Sequence, residues 1–408
     1  MEKNDTLYQT YLRVLKKELI PAMGCTEPIA ISLAAARARE ILGLFPDQVI
    51  VQASGNIIKN VKSVTVPNTG GLKGIEAAAA AGIIAGDSGR LLEVINHVSE
   101  EDKQNIRELL KKNIFKLEVA QSKLIFDIIV ILFAGKNYSK VRIANKHSNI
   151  VLIEKNGERL LDIPVPDIED APDPETALFT VEGILDFADS VDIEDVREIL
   201  QRQIDYNIAI SEEGMNNDWG ANIGRVIMKN GDSNDAGIRA KAMAAAGSDA
   251  RMSGCELPVV INSGSGNQGI TASVPVIVFA REINASEEKL YRALVLSNLL
   301  GIHQKTGIGR LSAYCGAVSA GCASSAAISY LYGGGKSEIE HVLVNALAIA
   351  SGIICDGAKP SCAAKIATAV DAGILGYLMT KENQQFRDGD GIVKKGVENT
   401  ILNVGKLG

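Results

Sequence analysis

The 408-residue sequence has few cysteines, histidines and aromatic side chains, and each scarcity excludes a class of protein. Six cysteines are too few, over this length, for the disulfide framework that holds small secreted domains together. The four histidines stand in unrelated local contexts, without the spacing of a zinc site or of a catalytic triad. The formal net charge is -7 and lysine and arginine form no stripe, so we expect no nucleic-acid partner.

Long continuous apolar runs are also missing. The N-terminal segment has mixed charge and never develops the apolar core of a signal peptide. Two uncharged stretches, residues 257–280 and 311–335, are long enough to cross a membrane but are diluted with serine, glycine, asparagine and glutamine. We interpret both stretches as buried core segments, and we expect a cytoplasmic protein with no membrane partner.

What is present indicates a globular chain of two parts, as its length favours. Residues 1–170 mix helical periodicity with β-branched alternation, and "QVIVQAS" and "NVKSVTVPNTGG" predict strands. The segment "DIPVPDIEDAPDPETA" is rich in proline and acids and predicts a domain boundary near residues 165–175. Residues 171–408 favour helix and contain alanine and glycine that permit close packing. The predicted fold class is therefore α+β, with a small α+β domain (1–170) followed by a mainly helical domain (171–408).

The motif "GCTEP" places a thiol, Cys25, at the start of a predicted helix. Thr26 is the expected cap, and Pro28 lies early in the helix, where its missing N–H costs least. A thiol in this position experiences the helix dipole and free amides, which predicts a lowered pKa and a thiolate able to act as a base or a ligand. The alternative is that Cys25 only packs beneath the helix.

Three further cysteines, Cys315, Cys355 and Cys362, form the strongest chemical signal. Each has a glycine nearby, which lets the backbone approach an inorganic core, and three thiolates could hold three irons of a cubane while the fourth iron stays open. The close spacing of ferredoxin ligands is absent, and buried inert cysteines are common in helical cores. Zinc is disfavoured, because no C-x2-C pair or histidine partner lies nearby.

A loop rich in glycine, serine and asparagine, "INSGSGNQGITASVPVI", opens onto an apolar run. Backbone amides and short polar side chains of such a loop can bind a carboxylate or a phosphate, although a tight turn between core segments has the same composition. Arg310, five positions before Cys315, could bind a carboxylate through both guanidinium arms or lie on the surface. The predicted substrate-binding residues are Ser263, Ser265, Asn267, Gln268 and Arg310.

Four motifs in order, "GCTEP", "SGSGNQG", "GRLSAYCGAVSAGC" and "CDGAKPSC", resemble those of the L-cysteine desulfidases, relatives of the iron-sulfur L-serine dehydratases. The resemblance covers nearly the whole chain. It implies a [4Fe-4S] cluster held by Cys315, Cys355 and Cys362, with Cys25 as the catalytic thiol. The implied reaction converts L-cysteine to pyruvate, ammonia and hydrogen sulfide, and L-serine is the alternative substrate, because the two amino acids differ by one atom.

The sequence departs from the dehydratases at its C-terminus, where some of them carry a cysteine that caps the open iron. This chain ends "ENTILNVGKLG" and offers no such residue. Cys25, Cys255, Cys322 or water must then occupy the open position at rest, and the sequence does not choose among them. Cys322, seven positions after Cys315, also competes with it as the third ligand.

Two other classes of protein remain alternatives. The sequence "SGNQGI" is similar to the substrate loop of pyridoxal phosphate enzymes, but Lys241 lacks their lysine context, and we expect no pyridoxal phosphate. A non-catalytic amino-acid-binding protein on the same fold is the second alternative. In either case the expected ligand is a small amino acid, and a homodimer is the default assembly.

Overall fold

The computed structural model describes residues 1–165, 174–309 and 313–407. The first part contains both strands and helices, in the order α1 (Thr6–Glu18), β1 (Pro21–Met23), α2 (Thr26–Leu42), β2 (Gln48–Ala53), α3 (Gly55–Val61), α4 (Ile75–Ala85), α5 (Glu100–Lys111), β3 (Phe115–Val119), β4 (Asp127–Ala134), β5 (Asn137–Ala144), β6 (Ile150–Lys155) and β7 (Glu158–Asp162). Helices dominate the second part, which contains α6 (Val181–Ser190), α7 (Ile193–Asn216), α8 (Ile223–Asn230), α9 (Ala236–Met252), β8 (Pro258–Val260), α10 (Gly266–Glu282), α11 (Glu287–Ile308), α12 (Gly316–Leu331), α13 (Lys336–Ala350), α14 (Cys362–Lys381) and α15 (Val397–Gly405). The predicted α+β class is confirmed.

A six-stranded mixed sheet forms the first part, in the order β3-β2-β4-β5-β6-β7. Strands β2 and β3 are parallel because helices α3, α4 and α5 connect them, whereas the other neighbours are antiparallel. Alternate residues of β2 are buried, as expected for a sheet with one packed face. Helix α2 packs against β4 and β5 and against α4.

Helix α12 lies at the centre of the helical part and packs against α10, α11, α13 and α14. Small residues allow the close approach of α12 and α14. A Cβ atom at Gly373 would lie 2.0 Å from the Ser325 hydroxyl, and one at Gly321 would lie 2.7 Å from the Ala369 backbone. The long uncharged stretches predicted as core segments contain α10 and α12, and both helices are largely buried.

The two parts of the chain contact each other. Strand β1 pairs with β8 in a separate antiparallel sheet, with Ala22 opposite Val259, and α1 packs on α6, α7 and α11. The predicted boundary near residues 165–175 falls largely outside the described residues, so the division at residue 170 stays a prediction.

One segment predicted as a strand forms a loop in the structure. The segment "NVKSVTVPNTGG" is not a strand: α3 ends at Val61, and a tight loop follows, closed by an isolated bridge between Thr65 and Lys73. Asn68 adopts a positive φ in that loop, which a strand would not allow.

Among described residues, only α14 is long and apolar enough to cross a membrane, and half of it is buried inside the fold, as is typical of a core helix.

Candidate active site

Four helices, α2, α10, α12 and α14, begin at one cleft of about 90 Å³. Because helix N-termini carry partial positive charge, this arrangement favours a negatively charged ligand. The side chains that line the cleft include the predicted thiols and several ionisable residues: Cys25, Thr26, Glu27, Lys59, Asn60, Arg251, Ser265, Asn267, Gln268, Lys305, Tyr314, Cys315, Cys355 and Cys362.

The three cysteines of the predicted cluster site line the same cleft. A short antiparallel bridge brings two of them together, because the Cys315 amide donates to Ile353 O (3.0 Å) and the Cys355 amide donates to Ala313 O (2.7 Å). Cys315 caps α12 and Cys362 is the first residue of α14. Burial, with a smaller contribution from the neighbouring Cys362 and Cys355, raises the pKa of Cys315 to about 11.

The chemistry of these donors fits a cubane cluster. In a cubane each thiolate binds a separate iron, so the ligands need to share a pocket rather than a single ion. Within residues 1–165, 174–309 and 313–407, no three Cys, His, Asp or Glu side chains lie close enough to hold one metal ion. Three thiols around one cleft, with helix N-termini facing the same space, therefore suit a multi-iron anionic group better than a single zinc ion.

Cys25 lines the same cleft and packs in one apolar cluster with Cys362, Val64 and Met252. Cys25 itself, and not Thr26, is the cap residue of α2. Its Sγ donates a hydrogen bond to Glu27 Oε2 at 3.0 Å. Burial and the adjacent Glu27 charge raise the pKa of Cys25 well above its usual value, so the predicted lowering of this pKa is wrong. The resting group is a thiol hydrogen-bonded to a carboxylate.

Glu27 is held in place from its other side. Asn60 on α3 donates from Nδ2 to Glu27 Oε1 at 3.1 Å. Burial raises the pKa of Glu27, but the charge of His147, the Cys25 hydrogen bond and the charge of Arg251 outweigh burial and leave the pKa below its usual value. Glu27 is thus an ionised carboxylate in contact with the Cys25 thiol.

The predicted loop supplies part of the cleft wall. Ser265 caps α10, and Asn267 and Gln268 lie in its first turn beside the cleft. Ser263 does not line the cleft: its hydroxyl donates to Asn262 Oδ1 at 2.9 Å, which points to a role in loop geometry rather than in substrate contact. Arg310, the fifth predicted substrate-binding residue, lies outside the described residues.

Arg251, at the end of α9, is a cleft residue that the sequence analysis missed. It is only 3% exposed, and its Nη1 donates to Asn267 Oδ1 at 2.9 Å. A Cβ atom on Gly266 would lie 2.3 Å from Arg251 Nε, so a glycine at this position is what makes room for the guanidinium. Glu27 and Asn60 were missed as well. The single available signal was the acid of "GCTEP" two positions after the thiol.

The remaining two cysteines are buried away from the cleft. Cys322 lies inside α12 with no exposed surface, and burial raises its pKa to about 12. Cys255 is also buried and does not line the cleft. Of the rivals for the third ligand and for the capping position, Cys315 and Cys25 line the cleft, whereas Cys322 and Cys255 do not.

Fold and cleft together define an α+β protein with a thiol-lined site, and comparisons with known proteins agree with that class. A model of the serine dehydratase alpha chain family matches residues 90–408. The chain is 62% identical to the UPF0597 protein DSY1109 of Desulfitobacterium hafniense over 408 residues, covering all of this chain and 95% of that one. UPF0597 proteins of Lachnoclostridium phytofermentans and Finegoldia magna are 51% and 50% identical, each over 97% of this chain and 94% and 95% of their own lengths.

The chain belongs to the serine dehydratase alpha chain family. Membership supports a lyase-type function related to that of the serine dehydratases, and it suggests iron-sulfur binding. It does not choose between cysteine and serine as substrate.

Proposed function

We propose that this protein is an iron-sulfur-dependent L-cysteine desulfidase, which eliminates sulfide from L-cysteine to form pyruvate, ammonia and hydrogen sulfide. The observation that carries the proposal is one cleft lined both by three thiols, Cys315, Cys355 and Cys362, and by the hydrogen-bonded Cys25–Glu27 pair. The same elimination from L-serine, with water as the leaving group, is the second candidate, and family membership supports a lyase of either kind.

Cys315, Cys355 and Cys362 are the residues that would hold the cluster. When bound, the cluster supplies an open iron that acts as a Lewis acid toward substrate oxygen or sulfur. The helix N-termini of the cleft favour a bound carboxylate. Ser265, Asn267 and Gln268 are proposed to contact the substrate from the α10 side.

Cys25 and Glu27 supply the proton chemistry. An α-proton is a weak acid, so its removal needs a base placed close to Cα. Glu27 accepts the thiol proton across the existing 3.0 Å hydrogen bond, and the resulting Cys25 thiolate takes the Cα proton. Loss of that proton to Cys25, and of the β-sulfur as hydrosulfide, gives aminoacrylate; the hydrosulfide takes the proton held by Glu27 and leaves as hydrogen sulfide. Aminoacrylate then tautomerises and takes up water to release ammonia and pyruvate. A reducing cytoplasm would keep the six free thiols in the state this scheme requires.

The proposal is tested by anaerobic purification of the full chain, followed by assay of iron, acid-labile sulfide, and turnover of L-cysteine beside L-serine. We expect near-equal iron and sulfide, and sulfide release from L-cysteine exceeding pyruvate formation from L-serine. Cys25→Ala should keep the iron and lose turnover by roughly 100-fold or more, as expected for loss of a general base. Cys255→Ala removes a buried thiol away from the cleft and is the matched control.

Three results would contradict the proposal. Faster turnover of L-serine would establish the dehydratase. A colourless protein that binds cysteine without turnover would establish the amino-acid-binding alternative. Full turnover by Cys25→Ala with its iron intact would remove Cys25 from the role of base.

A further inference from the structure

Arg251 is a buried cation that forms no direct ion pair. No described acidic side chain lies within salt-bridge distance of it, and its buried Nε lacks a hydrogen-bond partner among the described residues. Its single hydrogen bond to oxygen uses the neutral amide of Asn267. Burying a guanidinium in this state is costly, so the fold retains it at the expense of stability.

The surroundings of Arg251 are built to present it. An arginine side chain has only hydrogen-bond donors, so Asn267 accepts from Arg251 through its Oδ1. This hydrogen bond fixes the orientation of both side chains at the start of α10. Gly266, the first residue of that helix, provides the space that the guanidinium occupies. The positive end of α10 therefore lies next to the positive side chain, and both favour an anion in the cleft.

The charges of the cleft point to the same class of ligand. Arg251, Lys59 and Lys305 contribute three positive side chains to its lining, whereas Glu27 contributes one negative side chain. Glu27 is engaged by the Cys25 thiol and by Asn60. The nearest carboxylate thus has partners of its own and makes no ion pair with Arg251.

We propose that Arg251 is the residue that binds the α-carboxylate of the substrate, with Asn267 as its positioning residue. This inference rests on the proposed function for the identity of the substrate as an α-amino acid. Under this inference the Arg251 side chain binds the substrate carboxylate, and the substrates are amino acids with a free α-carboxylate. Amides, esters and internal peptide residues are excluded.

The test compares ligands that differ only in the carboxylate. In the anaerobically purified full chain, KM for L-cysteine is compared with KM for L-cysteinamide, and thermal stabilisation by L-alanine with that by L-alaninamide. The alanine pair cannot undergo elimination, so it reports binding even if the proposed reaction is wrong. We expect the parent to prefer the carboxylate in both comparisons, on the order of 10- to 100-fold, as is typical of a charge-assisted hydrogen bond.

Arg251→Gln should abolish this preference, and Arg251→Lys should retain part of it, because lysine keeps the charge but loses the planar fork. Arg239→Gln removes one positive charge from the same helix at an ion pair with Glu282 and should keep the full preference. The proposal is overturned if Arg251→Gln or Arg251→Lys discriminates as strongly as the parent. It is also overturned if L-alanine fails to stabilise the parent, or does so no better than its amide.

Discussion

Replacing Gly266 by alanine tests how closely Arg251 is fitted to the start of α10. The added Cβ would lie 2.3 Å from Arg251 Nε and 2.6 Å from Val259 Cγ2, whereas real contacts of this kind lie beyond about 3.4 Å. The nearest obstacle is a flexible side chain, so the guanidinium moves by about 1 Å and strains its hydrogen bond to Asn267. Overpacking of this kind costs about 1–3 kcal/mol of unfolding free energy.

The loss of unfolding free energy in Gly266→Ala can be compared with that in Gly55→Ala, a matched glycine variant. For 408 residues the unfolding entropy is about 0.9 kcal/mol/K, so 1–3 kcal/mol lowers Tm by about 1–3 °C. We also expect KM for L-cysteine to rise roughly 10-fold, from the weakened charge-assisted contact. Gly55 likewise begins a helix, but a Cβ there meets no atom within 4 Å, so Gly55→Ala should leave Tm and KM unchanged. If Gly266→Ala behaved like Gly55→Ala, the fitted position of Arg251 would be refuted.

Two further predictions concern the ligands and the C-terminal helix. Cys322→Ala should keep the iron content of the parent and Cys362→Ala should lose it, because Cys362 lines the cleft and Cys322 does not. Iron is measured after anaerobic purification of each variant. Loss of iron from Cys322→Ala would contradict the choice of Cys315 over Cys322 as ligand. Glu398, at the start of α15, contacts His303 Nε2 at 2.7 Å and accepts from the Val181 amide. Burial raises its pKa, but the bond to His303 outweighs burial and leaves the pKa low. A lowered carboxyl pKa stabilises the fold above about pH 4.5 and ceases to do so as pH falls through the folded value. Glu398→Gln should therefore lower Tm at pH 7, and the difference from the parent should shrink below pH 4.5. A difference independent of pH would contradict this reasoning.

The patterns that single out the four cleft thiols in the sequence are local: a helix start and glycine-containing turns. Cys25 lies at the start of a helix whose proline and apolar pattern are visible in the sequence, and Cys315, Cys355 and Cys362 stand in glycine-containing turns. The sequence analysis grouped the thiols only through the resemblance to a family. The structure brings all four to one cleft, and their roles as ligands and base stay a proposal.

The burial of Arg251 and Cys25 could not be predicted from the sequence in the same way. Arg251 stands in "DARMSG" at a helix end, where an arginine usually lies in solvent and favours the helix dipole. Only tertiary packing from α10 encloses it. The pKa of Cys25 was mispredicted for the same reason, because the helix dipole acts locally, whereas burial and the Glu27 charge, which are stronger here, come from the folded cleft.

The segment at residues 60–71 shows the limit for strands. Its β-branched residues suggested pairing, but Val64 and Val66 are buried as packing residues of a loop. Turn residues that follow, including Asn68 with its positive φ, prevent an extended ladder. Burial of apolar side chains was thus predictable there, and the backbone conformation was not, because β propensity reflects packing as much as backbone preference.

The four helix starts that form the cleft come from distant points of the chain, at Thr26, Gly266, Gly316 and Cys362. During synthesis the first wall is complete more than 300 residues before the last one emerges from the ribosome. No N-terminal fragment can contain the assembled cleft, and contacts of such long sequence separation form late and slowly in folding. A group that needs all four helix starts can therefore be enclosed only after Cys362 has been made.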